Sequence, residues 1–323
     1  DFMVMEKTSR VIDLETEIPN TYKLLTNLLP VASEKERYLN WNAGIIQTRE
    51  KQLTAWVFMG AQGAGKNLLL DYILRVLFGK DQAVKVEDWM LKSEFNGWMQ
   101  NALVIAFNEV AHDNRSRNQM NNKIKPIITD PDVGINEKNV KVFTIDNHVN
   151  AVFFSNEQIP VLIENGDRRY NVVQTGGNLR KNSWFSDPKK FLKDLEAEAP
   201  LFAEYLMNFD YDSNLAETVI NNSKKQSLVQ AGMNRFEDFA NHLKENDVEW
   251  FKENMDQFTV SLRFDDLILD GEIDKDTALS LFKEINGEKI STKKLTTELA
   301  LYEVKKGRGK RDAEGKRAPV YKW

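Results

Sequence analysis

An α/β fold with a buried parallel sheet is what this sequence predicts, and three observations carry the prediction. Apolar runs of strand length, Ala55–Met59, Ala83–Val86 and 102–107, alternate with segments of helical period, as in a sheet covered on both faces by helices. Between the first run and an amphipathic segment at 68–78 stands Gly60-Ala61-Gln62-Gly63-Ala64-Gly65-Lys66-Asn67, a glycine-rich turn in strand-loop-helix context. Beyond residue 187 the strand signal stops and helical periods take over.

Residues 1–53 read as a helical N-terminal segment, with Tyr22, Leu24, Leu25, Leu28 and Leu29 in helical spacing before Pro30 and a second helix over 33–47. The α/β core is expected over 54–186, with further strands at 140–145, 151–154 and 171–173. Helices at 191–195, 201–207 and 236–243 predict a helical lid or connector over 187–270. The last block, 271–323, predicts two helices, 275–285 and 292–304, around the turn Asn286-Gly287-Glu288-Lys289. A glycine-spaced basic hairpin follows, a winged-helix-like arrangement. Lys305, Lys306, Arg308, Lys310, Arg311, Lys316, Arg317 and Lys322 crowd that end, opposed by Glu303, Asp312 and Glu314. A solvated tail is the alternative, but Ala318-Pro319-Val320-Tyr321-Lys322-Trp323 has the apolar and aromatic content of a returning strand.

The 323 residues, 41% of them hydrophobic, suffice for two or more cored domains. The chain has no cysteine, which excludes a disulfide framework and thiolate metal clusters, and His112, His148 and His242 are too scattered for a zinc site. Its longest apolar run, 102–107, falls far short of the roughly 20 residues of a membrane span. A soluble protein of a reducing, cytoplasmic compartment is expected. The net charge of −5 argues against a uniformly basic nucleic-acid binder while leaving room for local basic patches. The chain opens on Asp1 rather than Met, and a preceding domain is expected.

The glycine loop carries the most specific chemistry. Gly60, Gly63 and Gly65, with Gln62 and Ala64 between them, let backbone N–H groups turn inward around phosphate oxygens. Lys66 adds a compact positive charge, and the following helix adds its N-terminal dipole. A nucleoside triphosphate, ATP, with Mg²⁺ is the expected guest; a plain helix-capping turn is the alternative. Asn67 stands where a Ser or Thr hydroxyl usually reaches the metal, so an amide oxygen takes that place.

The apolar run at 102–107 ends in Asn108-Glu109. A carboxylate at such a strand end can orient water for attack on a terminal phosphate, making Glu109 the candidate base and Asn108 a second amide on the metal side. Alone, the pair reads better as a polar strand terminus, and only the elements that follow favour the catalytic reading. The run 151–154 leads into Ser155-Asn156, whose amide can bond water and phosphate. Asp167-Arg168-Arg169-Tyr170 offers an arginine for transition-state charge, Arg168 first and Arg169 if the register slips; a surface ion pair is the alternative.

These elements, in this order and spacing over residues 54–175, resemble the AAA+-like ATPase domain of superfamily 3 helicases, in particular that of phage and mobile-element primase-helicases. The resemblance implies a ring, of hexameric kind, that hydrolyses ATP while moving on single-stranded DNA and opening forked DNA. It also implies a primase-polymerase domain ahead of this chain, and a host bacterial cytoplasm if the gene belongs to a phage. The ATP site would lie between subunits, with Arg168 supplied by the neighbour. The segment 132–142, by itself two short strands joined by a polar turn, would be the pore hairpin, with Lys138 at its tip and Lys141 in support. Lys310, Arg311 and Arg317 would contact DNA from the basic end. The amides at 67 and 108 leave open a second reading, a slowly hydrolysing DNA-binding or loading ring. A phosphoryltransferase outside any ring is a third.

Overall fold

The computed structural model describes residues 7–108, 114–156, 161, 163–164, 166–254, 269–286, 290–311 and 317–323. The chain divides into two compact units, 1–232 and 233–323.

The first unit is built on a five-stranded sheet, β1 (Ala55–Met59), β2 (Ala83–Val86), β3 (Val104–Asn108), β6 (Asn150–Ser155) and β7 (Tyr170–Gln174), in the order β2-β3-β6-β1-β7. All four pairings are parallel. The strands read as unbroken apolar runs because both faces are covered. With a side-chain period of two, Trp56 and Phe58 join one core cluster, while Ala55, Val57 and Met59 join the other. The same division puts Val104, Ala106, Val152 and Phe154 on the first face and Ile105, Phe107, Ala151 and Phe153 on the second.

The first face is covered by helices Pro19–Leu28, Ala32–Thr48, 66–78 and Pro188–Asn208. Tyr38 packs edge-on against Trp56 at 5.1 Å and Phe58 at 5.3 Å, and Trp41 Nε1 donates to Thr54 O at 3.0 Å. The second face carries Ile124, Ile127 and Ile128 of helix Asn114–Thr129 and Leu228 of helix Ser223–Gly232. A separate antiparallel hairpin, β4 (Asp132–Ile135) and β5 (Phe143–Asp146), pairs Asp132 with Asp146 and Ile135 with Phe143. The strand expected at 140–145 starts later: Val140 and Val142 lie exposed in the connecting loop, and only from Phe143 does the alternation find a partner strand.

The segment after 187 is where the observed division departs from the expected one. Instead of two short helices in a lid or connector, one helix of 21 residues, Pro188–Asn208, runs straight through Pro200. Its stripe Phe191, Leu195, Phe202 and Leu206 enters the first core cluster. The end of this helix and the stretch that follows are laced to helix Ala32–Thr48: Gln47 Nε2 donates to Leu206 O (2.7 Å), and Asn40 and Asp212 exchange two bonds of 2.9 and 2.8 Å. The division accordingly falls at Gly232/Met233.

The second unit packs Phe236, Phe239, Leu243, Phe251, Phe282, Leu295 and Tyr321 into its own core. Helices Arg235–Glu245 and Val248–Glu253 precede β8 (Glu272–Asp274), helices Lys275–Asn286 and Thr292–Ala300, then β9 (Lys305–Arg311) and β10 (Arg317–Lys322). The three strands form an antiparallel sheet, β8-β10-β9. Its β8 edge strand had no sequence signal.

Candidate functional site

In an open parallel sheet, ligands gather outside the carboxyl ends of the strands, and here three chemistry-bearing strand ends coincide. Met59 pairs with Ser155 and Asn108 with Phe154, so the loop after β1, the end of β3 and Asn156 after β6 come to one place. They open on a cleft of about 720 Å³ lined by residues 62–68, Asn108, Phe154 and Asn156 together with Asn178, Leu179, Arg180, Phe185 and Pro188. That volume is within the range of about 300–1,000 Å³ typical of small-molecule sites.

The glycine loop is shaped by its neighbours as much as by its own torsions. Gly63 has φ +83, and a Cβ there would stand 2.4 Å from Asn178 Nδ2. Gly65 has φ +101, and its Cβ would meet Leu24 Cδ1 at 2.6 Å. Only glycine takes both torsions and both approaches at little cost. Two asparagines hold the loop from outside. Asn27, in helix Pro19–Leu28, donates through Nδ2 to Ala64 O (2.9 Å) and Gly177 O (3.1 Å), while its own carbonyl accepts from Gly176 N at 2.6 Å. Asn178 donates to Gln62 O at 3.1 Å, and Leu179 N donates to Gly63 O at 2.9 Å.

Lys66 is buried, and its Nζ donates to Gly60 O (2.7 Å), Ala61 O (3.2 Å) and Asn156 Oδ1 (2.8 Å). The lysine from the loop and the asparagine from the strand end, found separately in the sequence, are therefore in direct contact. Asn67 is exposed and Asn108 half-buried, and both line the cleft. Gly60 closes β1 just before it, its N–H donating to Ser155 O at 3.2 Å. Glu109 lies outside the described residues, as do 287–289 of the expected turn and Lys316.

For a divalent cation the donor set is two neutral amide oxygens, and the described lining side chains include no carboxylate. Magnesium prefers oxygen ligands in an octahedral shell and commonly joins protein sites through substrate phosphates and waters. These residues fit it as a companion of bound phosphate, with Lys66 and Arg180 supplying the charge that draws the anion.

Arg168 and Arg169 are not brought to this cleft. They precede the amino end of β7, where Tyr170 pairs with Ala55, whereas the glycine loop leaves the far end, where Gln174 pairs with Met59. Four strand steps separate the two ends, about 13 Å. Arg169 is held within its own chain, donating to Asp167 Oδ1 at 3.0 Å and Oδ2 at 2.6 Å, and these hydrogen bonds raise its already high pKa. Arg168 is exposed.

Lys138 and Lys141 are exposed in the loop between β4 and β5. The base of that loop is pinned: Asn136 N donates to Asn96 Oδ1 (2.7 Å), Asn96 N to Asn136 O (3.1 Å), and Asn96 Nδ2 to Gly134 O (2.8 Å). Lys310 and Arg311 end β9, and exposed Arg317 opens β10 opposite Arg311, so the three belong to one hairpin of the second unit. Sequence reasoning missed Asn27, Asn178 and Arg180. No local spacing marks them, because they act across folded contacts.

The fold and cleft define an α/β protein with a glycine-loop site at the carboxyl ends of a parallel sheet. Residues 58–169 match a family described as of unknown function (DUF5906). Over 241 residues, 74% of its length, the chain is 36% identical to the DNA primase-polymerase of Nitratiruptor phage NrS-1, of which it spans 33%. It is similar in fold to the apo structure of the NrS-1 C-terminal region, at 28% identity with a TM-score of 0.85, covering 99% of this chain and 77% of that one. An A-form apo structure of the same region matches at the same identity and coverage with a TM-score of 0.82. No helix among the described residues is long and apolar enough to cross a membrane.

Proposed function

We propose that this chain is an ATP-driven DNA helicase module of phage or mobile-element replication, a P-loop ATPase of AAA+-like, superfamily 3 type. In this reading it assembles as a hexameric ring, follows a primase-polymerase domain, and moves on single-stranded DNA to open forks. The observation that carries the reading is the 2.8 Å hydrogen bond from Lys66 to Asn156 within the glycine-loop cleft. The insertion of β6 between β1 and β3 supports the same ATPase class. The helices and antiparallel strands of the second unit support a winged-helix reading, and similarity to a phage DNA primase-polymerase supports the replication setting.

The backbone of residues 60–67 cradles the phosphates, and Lys66 neutralises the β and γ oxygens. Asn67 and Asn108 would hold Mg²⁺, which would supply positive charge to polarise the terminal phosphate. Glu109 takes the proton of the attacking water, and Asn156, its carbonyl oxygen held by Lys66, turns its Nδ2 donor toward water or γ-phosphate. Arg168, at the opposite end of the sheet from its own glycine loop, serves the cleft of a neighbouring protomer, with Arg169 braced behind it by Asp167. Lys138, supported by Lys141, grips the strand in the pore, while Lys310, Arg311 and Arg317 hold DNA from the second unit.

The two amides on the metal side favour a second reading, a nucleotide-dependent ring that binds or loads DNA and turns over slowly. ATP turnover with and without single-stranded DNA, measured beside mass in solution, decides. The proposal expects a multi-protomer species whose turnover rises with DNA. Assembly and ATP binding without turnover would favour the slow ring, and failure to bind ATP would overturn both.

A further inference from the structure

If the glycine loop holds the phosphates, as proposed above, the part of the lining that follows β7 receives the rest of the nucleotide. That segment is tied to the loop. Asn178 and Leu179 bond Gln62 O and Gly63 O, and Arg180 N donates to Asn178 Oδ1 at 2.9 Å, fixing the short turn Leu179–Lys181. Farther along, the Phe185 ring is packed edge-on against Phe191 at 5.1 Å and Trp184 at 6.0 Å, yet half-exposed where it lines the cleft. Pro188, the first residue of helix Pro188–Asn208, sets a second rigid ring beside the same opening.

The Phe185 and Pro188 rings, in a cleft whose lining also carries asparagine amides, Lys66 and Arg180, suit a flat, apolar-faced occupant attached to something anionic. We infer that Phe185 and Pro188 form a nucleobase subsite, in which the base stacks on the Phe185 ring and Arg180 reaches the sugar-phosphate side. Recognition there is by the face of the base rather than by its edge. The Asn178 amide, a lining group able to read an edge, is engaged on both sides, donating to Gln62 O and accepting from Arg180 N. Since every base offers a π-face, the subsite accepts adenine and guanine alike.

The test compares ATP, GTP and inorganic tripolyphosphate by calorimetry on wild type, Phe185→Ala, Phe185→Leu and Lys66→Ala. Wild type should bind the two nucleotides within a few-fold of each other, and both more tightly than tripolyphosphate. Phe185→Ala should weaken ATP and GTP by roughly 5- to 150-fold, the range of a lost base–aromatic stack, and leave tripolyphosphate unchanged. Phe185→Leu, which keeps apolar packing against Phe191 but no π-face, should weaken the nucleotides in the same direction. The subsite is overturned if both Phe185 variants leave ATP affinity intact, or if they weaken tripolyphosphate as much as ATP. The phosphate reading beneath it fails by a different sign, tripolyphosphate binding that Lys66→Ala does not alter.

Discussion

Removing the charge of Glu198 should loosen the helix that braces the glycine loop. Helix Pro19–Leu28 starts with Ile18 at its N-cap, which offers no side-chain oxygen, so its first amide groups need a partner from elsewhere. Glu198, buried in helix Pro188–Asn208, supplies it: Oε1 accepts from Asn20 N (3.0 Å) and Asn20 Nδ2 (2.7 Å), and Oε2 from Thr21 N (2.7 Å). The carboxylate also meets the positive end of the helix dipole. In Glu198→Gln one oxygen becomes an amide donor facing another donor, so at least one buried N–H loses its partner, at a cost of about 2 kcal/mol. Glu198→Ala strands both amides and should cost about 4 kcal/mol. Hydrogen exchange of the peptide spanning 19–28 reads this directly. For Glu198→Gln the expected acceleration is about 30-fold, since 1.4 kcal/mol is a factor of ten. Because Asn27 lies on the same helix, ATP affinity should fall as well. An acceleration below about twofold would refute the capping argument.

Gly63→Ala combines a left-handed φ of +83 with a Cβ 2.4 Å from Asn178 Nδ2, and should cost about 2 kcal/mol or more, seen as a lowered Tm. Adding Asn178→Ala should recover the steric part and leave the torsional part; no recovery would contradict the clash. Burial pushes the Lys51 ammonium down to about 8 from an ordinary 10.5. Below pH 8 the folded chain carries that half-buried charge at a cost. Between 8 and 10.5 the unfolded chain binds more protons than the folded one, so stability should climb with pH by on the order of 2 kcal/mol after allowance for solvent screening. Urea unfolding at pH 7 and pH 10 should show that climb in wild type and its loss in Lys51→Met; equal slopes would show that Lys51 does not titrate as argued. Mixing Arg168→Ala with Lys66→Ala should restore part of the ATP turnover that each lacks alone, and no recovery despite co-assembly would argue against an arginine supplied by a neighbour.

The sheet was legible because its strands are apolar on both faces, so that Trp56 and Phe58 alternate with Val57 and Met59 without a polar break. Helix Pro188–Asn208 shows the limit. Its period shows that one face is buried but not what buries it, and Pro200 makes a continuous helix look like two. The edge strand β8, only Glu272–Asp274, is too short and too acidic to announce itself and exists because β10 pairs with it. In the cleft, Lys66 and Asn156 were readable from a loop spacing and a strand end. Asn27 and Asn178 were not, because their bonds to Ala64, Gly177 and Gln62 span 37, 150 and 116 residues. The expected division at 270 missed for the same reason: the bonds from Gln47 to Leu206 and from Thr54 to Ala216 leave no trace in local composition.

If the cleft under residues 60–67 binds the phosphates of ATP through Lys66, calorimetric titration of ATP into wild type and Lys66→Ala will separate the two proteins. Lys66 contacts loop carbonyls and Asn156, so its loss should leave the fold largely intact. Wild type should bind ATP saturably and Lys66→Ala at least tenfold more weakly, consistent with about 1.4 kcal/mol or more for a charge-assisted contact, at nearly unchanged Tm. Equal affinity of the two proteins for ATP would contradict phosphate binding through Lys66.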